Sequence, residues 1–315
     1  MIGKDLVARV QGGRLVLDAE TDLPDGTEVP LAPREQLQRP LCNVLLFVTT
    51  PTERDTLKDV AAQMGIEDKT IQGNFSDYLD LGKHGPYRVF GVHTEMGALQ
   101  AGGSATKGLL CPVETSARYV IAVGTAFGID RAHQKFGDVL VATHVVPYDF
   151  VLVDTDSDGR LPRISYNNAK PNPSNPALIA LLRRFAGHSH TNFNVHFGAM
   201  LSGSAQIRCG AYRDHLRSKF DKKLTDLDKQ SVRKKGQPLT ERIIGGEMEG
   251  VGLLATPTKE GAASWLIVKG ISDFADEEHN SENERERVDA CKNAVEFVLK
   301  ALASHASDVE KEIEA

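Results

Sequence analysis

Carboxylates stand at three places where an apolar run gives way to a turn. Glu53 lies in TTPTE (49–53), Glu247 and Glu249 lie in GGEMEG (245–250), and Asp273 lies in KGISDFAD (269–276). A positioned carboxyl group can move a proton, orient a hydroxyl or steady a developing cation. Each also has a plain structural use. Thr50-Pro51-Thr52-Glu53 is a strong helix start, with Thr50 as N-cap, Pro51 at the first helical position and Glu53 closing a capping box. An E-x-E pair is usually solvated surface, and an Asp after a buried strand is often an N-cap. Gly124-Thr125-Ala126-Phe127-Gly128 carries glycines four apart, which fits neither G-x-G-x-x-G nor the phosphate loop G-x-x-x-x-G-K-[ST]. His93 and His144 have no metal spacing around them and read as polar or packing residues. There is no G-x-S-x-G, so Ser202-Gly203-Ser204 reads only as a turn. Cys42, Cys111, Cys209 and Cys291 are scattered without C-x-x-C, which argues against disulfides and structural zinc.

The elements that must hold these residues alternate between strand and helix. NVLLFVTT (43–50) is apolar enough for a strand buried on both faces, and Leu57, Val60, Ala61 and Met64 give the following helix its apolar face. YRVFGVHTEMG (87–97), ARYVIAV (117–123), DVLVATHVV (138–146), VHFGAMLSG (195–203) and SWLIVKGIS (264–272) read as further strands. LQAGGSATKGLL (99–110) reads as a small-residue helix. A last helix aligns Val288, Cys291, Val295, Val298, Leu299 and Leu302, which makes Cys291 a core filler rather than a nucleophile. The fold class expected is α/β, a mixed, mostly parallel central sheet flanked by helices. In such sheets ligands gather at the carboxyl ends of strands. That rule selects Thr50–Glu53, Thr94–Gly97, Gly124–Gly128 and Ser272-Asp273, with Glu247-Met248-Glu249 as a fifth place. Residues 1–40 read as a small β-rich extension (LVL and TEVPL around the turn LPDG), 41–305 as the main domain and 306–315 as a charged tail. The charge-rich stretch from Tyr212 to Glu241 reads as a solvated helix and exposed loop.

Composition narrows the partners. Among 315 residues there are 43 acidic and 37 basic side chains, a net charge of -6. That balance gives no electrostatic reason to expect a nucleic-acid polymer or a membrane as partner. No apolar run approaches the ~20 residues of a membrane span, and MIGKDLVARVQGG lacks the apolar segment of a signal peptide. A soluble, cytoplasmic protein is expected.

Taken together the motifs say more than they do singly. GGEMEG, followed by VKGISDFAD, with the opening strand and Glu53, the turn TEMG, VIAVGTAFG…QKFGDVLVA and LSGSAQI, resembles the purine nucleoside phosphorylase and methylthioadenosine/adenosylhomocysteine nucleosidase superfamily from about Asn43 to Leu302. VGTAFG…GDVLV…PYD and GGEMEGVGLL…VKGISDFAD look closest to bacterial members that occur as antiviral defence effectors, some of which remove the base from adenine nucleotides. The resemblance implies cleavage of a purine N-glycosidic bond, with no metal or organic cofactor. It casts Asp273 as the acid that protonates the leaving purine, positioned by Ser272. Glu249 grips the ribose hydroxyls, Met248 packs beside the sugar, and Glu247 supports them. Glu53 activates the attacking water. Gln206 and Ile207 meet the base, and Thr125, Ala126 and Gly128 form the pocket floor. It also implies a homo-oligomer, dimer or hexamer, with Tyr148-Asp149-Phe150 a candidate contribution to a neighbour's pocket.

The nucleophile is the branch point. Phosphorylases of this superfamily carry a GDPxR-type phosphate-binding turn after the first strand, whereas here the stretch is TTPTERD. An anionic Glu53 repels phosphate and suits water, and Arg54, adjacent on a helix, does not share its face. Hydrolysis of an adenine nucleoside or nucleotide, ATP or AMP included, is therefore the expectation. The alternatives are a methylthioadenosine/adenosylhomocysteine nucleosidase, a phosphate-dependent phosphorylase and, least favoured, a nucleotide-sensing binding module. The chain departs from the family pattern at Gln206, where an aromatic is usual, at Lys269 in place of arginine, at Glu95 in place of glycine, and in the charged insertion between Gly210 and Ile243. Arg131, Lys135, Arg160, Arg163 and Arg208 are cations that a phosphorylated substrate could use.

Overall fold

The computed structural model describes residues 8–11, 14–17, 28–29, 41–155, 158–159, 162–188, 191–235, 242–256, 264–278 and 284–314. The chain divides into two units, Met1–Arg39 and Pro40–Ala315. The first holds an antiparallel sheet of β1 (Ala8–Gln11), β2 (Arg14–Leu17) and β3 (Glu28–Val29). In the second, β4 (Val44–Val48) leads into α1 (Pro51–Gln63), followed by β5 (Thr70–Gln72), β6 (Asp77–His84), β7 (Tyr87–His93) and α2 (Ser104–Thr115). Then come β8 (Tyr119–Ala122), β9 (Thr125–Gly128), β10 (Val139–Pro147), β11 (Leu152–Thr155), β12 (Pro162–Ser165), β13 (Asn172–Pro173), α3 (Pro176–His188), β14 (Val195–Ser202) and α4 (Gly210–Lys235). β15 (Ile243–Glu247), α5 (Gly250–Leu253), β16 (Ser264–Asp273) and α6 (Glu284–Glu314) complete it.

Eleven strands form one mixed sheet in the order β13-β10-β14-β15-β9-β16-β8-β4-β7-β6-β5. The pairs β4–β7, β4–β8, β8–β16, β9–β16, β10–β14 and β14–β15 are parallel. An antiparallel β10–β16 pairing closes five of the strands on themselves. The period-2 geometry of a strand explains the all-apolar β4. Val44, Leu46 and Val48 point into a core shared with α1, α3 and α6, while Leu45 and Phe47 point into a second core on the other face. On α6 the buried row is Cys291, Ala294, Val295, Val298, Leu299 and Leu302. α6 continues through the segment read as a charged tail. Met64, expected on the apolar face of α1, is instead its exposed C-cap.

α4 departs from the expectation of a merely solvated helix. Leu216, Phe220 and Leu224, spaced four apart, are buried against Ile129, Tyr148 and Ile207, so a narrow apolar stripe runs beneath the charges.

α6 lies directly on β16, and Gly270 is what allows it. A Cβ there would stand 1.9 Å from the carbonyl oxygen of Ala290. Gly270→Ala therefore forces backbone apart and is expected to destabilise the fold by about 1–3 kcal/mol or more. Thermal melts check this against Gly187→Ala on α3, where nothing crowds the added methyl and no loss is expected.

Candidate active site

Three strand ends and one helix start meet at a single cavity. Its walls are Thr49, Thr50, Thr52 and Glu53 after β4, Thr125, Ala126 and Phe127 of β9, and Gly246 to Glu249 at the end of β15. Ser272 and Asp273 at the end of β16, Ala205, Gln206 and Ile207, Met96 and Arg287 complete it. Of the residues to which the family resemblance gives a catalytic or substrate-binding role, all line this cavity except Gly128. Gly128 lies at the far end of β9, packed against Phe274, Ile271 and Gln134.

Glu53 has two jobs that the sequence pattern shows only as one. The capping box is present: Glu53 N–H donates to Thr50 Oγ1 (3.1 Å), and Thr50 N–H donates to Glu53 Oε2 (3.1 Å). The same carboxylate reaches further. Oε2 also accepts Thr49 N–H at 2.8 Å, and Oε1 accepts Thr125 N–H at 2.7 Å and the Thr125 hydroxyl at 3.1 Å. Both oxygens are thus pinned on the cavity wall. The approach to β9 depends on Gly124, whose φ of +133° suits glycine and where a Cβ would fall 2.2 Å from Glu53 Oε1.

Asp273 is held on both oxygens. Ser272 Oγ donates to Oδ2 (3.0 Å) and Ala275 N–H donates to Oδ1 (2.9 Å). The register between β16 and β9 shifts between Ile271 and Asp273, the kind of irregularity that re-aims a side chain beside a site. Beyond it, Arg131 pairs with Asp276 (2.9 Å) and Glu278 (3.1 Å) and lies over the Phe274 ring at 4.4 Å. Arg213 donates to Phe274 O at 2.5 Å. These contacts fasten the loop that carries Asp273.

The GGEMEG segment turns on a buried charge cluster. Lys269 of β16, 1% exposed, donates from Nζ to Glu249 Oε2 at 3.3 Å. Burial alone would lower its pKa, but the carboxylates of Glu249, Glu53 and Glu247 outweigh that and hold it above the usual lysine range. Lys269, which stands where the family pattern has arginine, has a signal of its own in the sequence: one charge inside the apolar strand SWLIVKGIS must be paired. Glu249 is fixed through its backbone as well, since Ser104 Oγ donates to Glu249 O at 2.5 Å. Glu247 Oε2 accepts the N–H groups of Glu249 (2.8 Å) and Gly250 (2.7 Å), while its Oε1 is buried without a hydrogen-bond partner. Burial, then the neighbouring Glu249 carboxylate, pushes the Glu247 pKa up to about 7 against the opposing pull of Lys269.

That shift has a sign that can be measured. Between pH 4.5 and 7 the folded chain keeps a proton on Glu247 that the unfolded chain releases, so the Glu247 contribution is largest below pH 4.5 and is lost as pH rises through 7. The loss is on the order of 3 kcal/mol. Glu247→Gln is expected to flatten this part of the stability–pH curve in chemical denaturation.

Tyr148 and Asp149 reach the loop before Gln206. The Tyr148 hydroxyl donates to Ala205 O (2.9 Å) and Asp149 Oδ2 accepts Ser204 N–H (2.5 Å). Together they brace the loop that brings Gln206 and Ile207 to the wall. Tyr148 is buried, and Asp149 and Phe150 are exposed. Glu95 closes its own loop, accepting Gly102 N–H at 3.2 Å. Of the five cations noted in the sequence, Arg160 and the Arg163 side chain lie outside the described residues, and Arg131, Lys135 and Arg208 do not line the cavity; Arg287, at the start of α6, does. Among the described residues no cluster of His, Cys, Asp and Glu is arranged to hold a metal ion, and no helix is long and apolar enough to cross a membrane.

The likeness to known proteins identifies the family of this chain. A profile of the phosphorylase superfamily matches residues 44–304, and the chain belongs to that family. A curated relative, the death domain-containing ATP nucleosidase of Amphimedon queenslandica, is 24% identical over 281 residues. The match takes in 82% of this chain and 48% of the relative, so the chain spans about half the length of the relative it resembles. Among solved structures, 5'-methylthioadenosine/S-adenosylhomocysteine nucleosidase from Neisseria meningitidis, in complex with methylthio-immucillin-A, superposes with a TM-score of 0.59 at 18% identity, over 83% of this chain and 99% of that one. Futalosine hydrolase of Helicobacter pylori gives 0.61 at 18% identity over 84% and 97%. These structures share the mixed-sheet fold.

Proposed function

We propose that the protein is a purine N-glycosidase that hydrolyses the base–ribose bond of an adenine nucleoside or nucleotide, ATP and AMP included, with water as nucleophile. The observation that carries this reading is Glu53: a carboxylate fixed by donors from two strands on the same cavity wall system as Asp273, where a phosphate nucleophile would be repelled. Cleavage builds positive charge on the ribose and electron density on the base. Asp273, steadied by Ser272 and Ala275, donates a proton to the departing purine. Glu249, tied to Lys269, accepts hydrogen bonds from the ribose hydroxyls, and its charge favours the cationic sugar. Glu53 orients the water and takes its proton. Met248 packs against the sugar, and Gln206, Ile207 and Phe127 contact the base; Phe127 gives the site an aromatic ring although Gln206 is not one.

The name of the sponge relative supports an adenine nucleotide as substrate, and the sequence phrases shared with bacterial defence effectors support a role in antiviral defence by nucleotide depletion. A cytoplasmic location fits the four unpaired cysteines. A homo-oligomer is supported by the exposed apolar Met96, Leu99, Leu109 and Val113 around α2. The test is release of free base from ATP, AMP, adenosine, inosine, methylthioadenosine and adenosylhomocysteine without phosphate. Adenine from adenosine, AMP or ATP is the expected result. Release from the thioether nucleosides alone would replace this reading with a housekeeping nucleosidase.

A further inference from the structure

The cavity is acidic: Glu53, Glu247, Glu249 and Asp273 all line it. Lys269 lies beneath it and is committed to Glu249. Arg287 is the one lysine or arginine among the described residues that lines it. Its place follows from helix geometry. Arg287 is one turn N-terminal to Cys291, so the two share the inner face of α6. The Cys291 thiol is 4.0 Å from the Glu53 carbonyl oxygen, which sets Arg287, in the first turn of α6, beside the Glu53 end of the cavity. Its side chain is exposed, as a residue at the cavity mouth should be.

With Asp273, Gln206 and Ile207 assigned to the base and Glu249 and Met248 to the ribose, the wall left for the 5′ substituent includes Met96, the neutral Thr49, Thr50 and Thr52, and the cationic Arg287. A neutral or thioether substituent has no use for a guanidinium there. A phosphate entering beside the carboxylates of Glu53 and Glu249 has every use for one. We propose that Arg287 is the specificity-determining residue that reads the 5′ end, its guanidinium binding the phosphate attached to O5′, so that the substrates are adenine nucleotides rather than unphosphorylated nucleosides. This rests on the glycosidase reading above for where the base and sugar lie. Because one guanidinium grips one phosphate, AMP already gains the full preference, and further phosphates extend toward solvent.

The test is calorimetric binding of AMP and of adenosine to the full chain and to Arg287→Ala and Arg287→Lys, with adenine release measured alongside. Loss of a charge-assisted contact is expected to lower the AMP-to-adenosine affinity ratio about 10–100-fold in Arg287→Ala. Lysine, keeping the charge without the planar fork, restores part of it. A ratio unchanged in both variants, or a wild-type protein that binds adenosine as well as AMP, overturns the inference while leaving the glycosidase reading intact. AMP held through Arg287 with no base ever released supports the inference and overturns the glycosidase reading instead.

Discussion

Asp273→Asn is expected to lower base release by about 10²–10⁴-fold, the usual cost of removing a general acid. The amide is close in shape but has no proton to give the purine. The surroundings let this substitution isolate chemistry from folding. Asp273 takes hydrogen bonds from Ser272 and from the Ala275 backbone, and an asparagine oxygen can keep one of them. The Arg131 and Arg213 contacts that hold the following loop do not involve it. The loss should therefore fall on kcat with little change in melting temperature. It should also shrink for a substrate whose leaving group needs no protonation, such as a p-nitrophenyl riboside, a contrast that a purely structural role would not give. Activity retained on adenine substrates would remove Asp273 from the chemistry.

The second large effect belongs to Glu53→Gln, and here stability and catalysis should fall together. Each Glu53 oxygen accepts two donors: Thr49 and Thr50 N–H on one, Thr125 N–H and hydroxyl on the other. An amide has one oxygen, so whichever way it turns its NH2 faces N–H groups. Leaving a buried donor unsatisfied costs about 1–3 kcal/mol, which a thermal melt will show. Base release should fall by a further ~10²–10⁴-fold because no base remains to take the proton from water. Glu53→Asp keeps the charge but shortens the reach and should recover folding less than it recovers activity at high substrate. If Glu53→Gln loses stability but keeps its rate, Glu53 is a cap and a strand tie only.

How much of this was legible in the sequence depends on whether a residue announces itself locally. The β4–α1 junction could be read in full because capping chemistry is written in consecutive residues, and the Cys291 row could be read because burial on α6 follows a fixed period. β9 was not legible: GTAFG looks like a turn, and only pairing with β15 and β16 makes Thr125–Gly128 a strand. β6 hides similarly, since DYLDLGKH carries charges on a strand that folds back on β7. The family resemblance brought Glu53, Glu249 and Asp273 into one pocket before the structure did. It placed Gly128 there too, whereas the pleat turns that residue toward Phe274. Lys269 stands in KGISDFAD with no role of its own there, and Arg287 belongs to no motif. One is betrayed by a lone charge in an apolar strand, the other by standing four residues before Cys291 on the buried face of α6.

The central claim is that water, guided by Glu53, is the nucleophile. The most direct measurement is turnover of an adenine nucleotide in ¹⁸O-labelled water, with and without inorganic phosphate, followed by mass analysis of the sugar product. The account predicts a free reducing sugar carrying one ¹⁸O at C1, formed at the same rate whether or not phosphate is present. A sugar 1-phosphate, formed only when phosphate is added and free of label at C1, would contradict it and make the protein a phosphorylase.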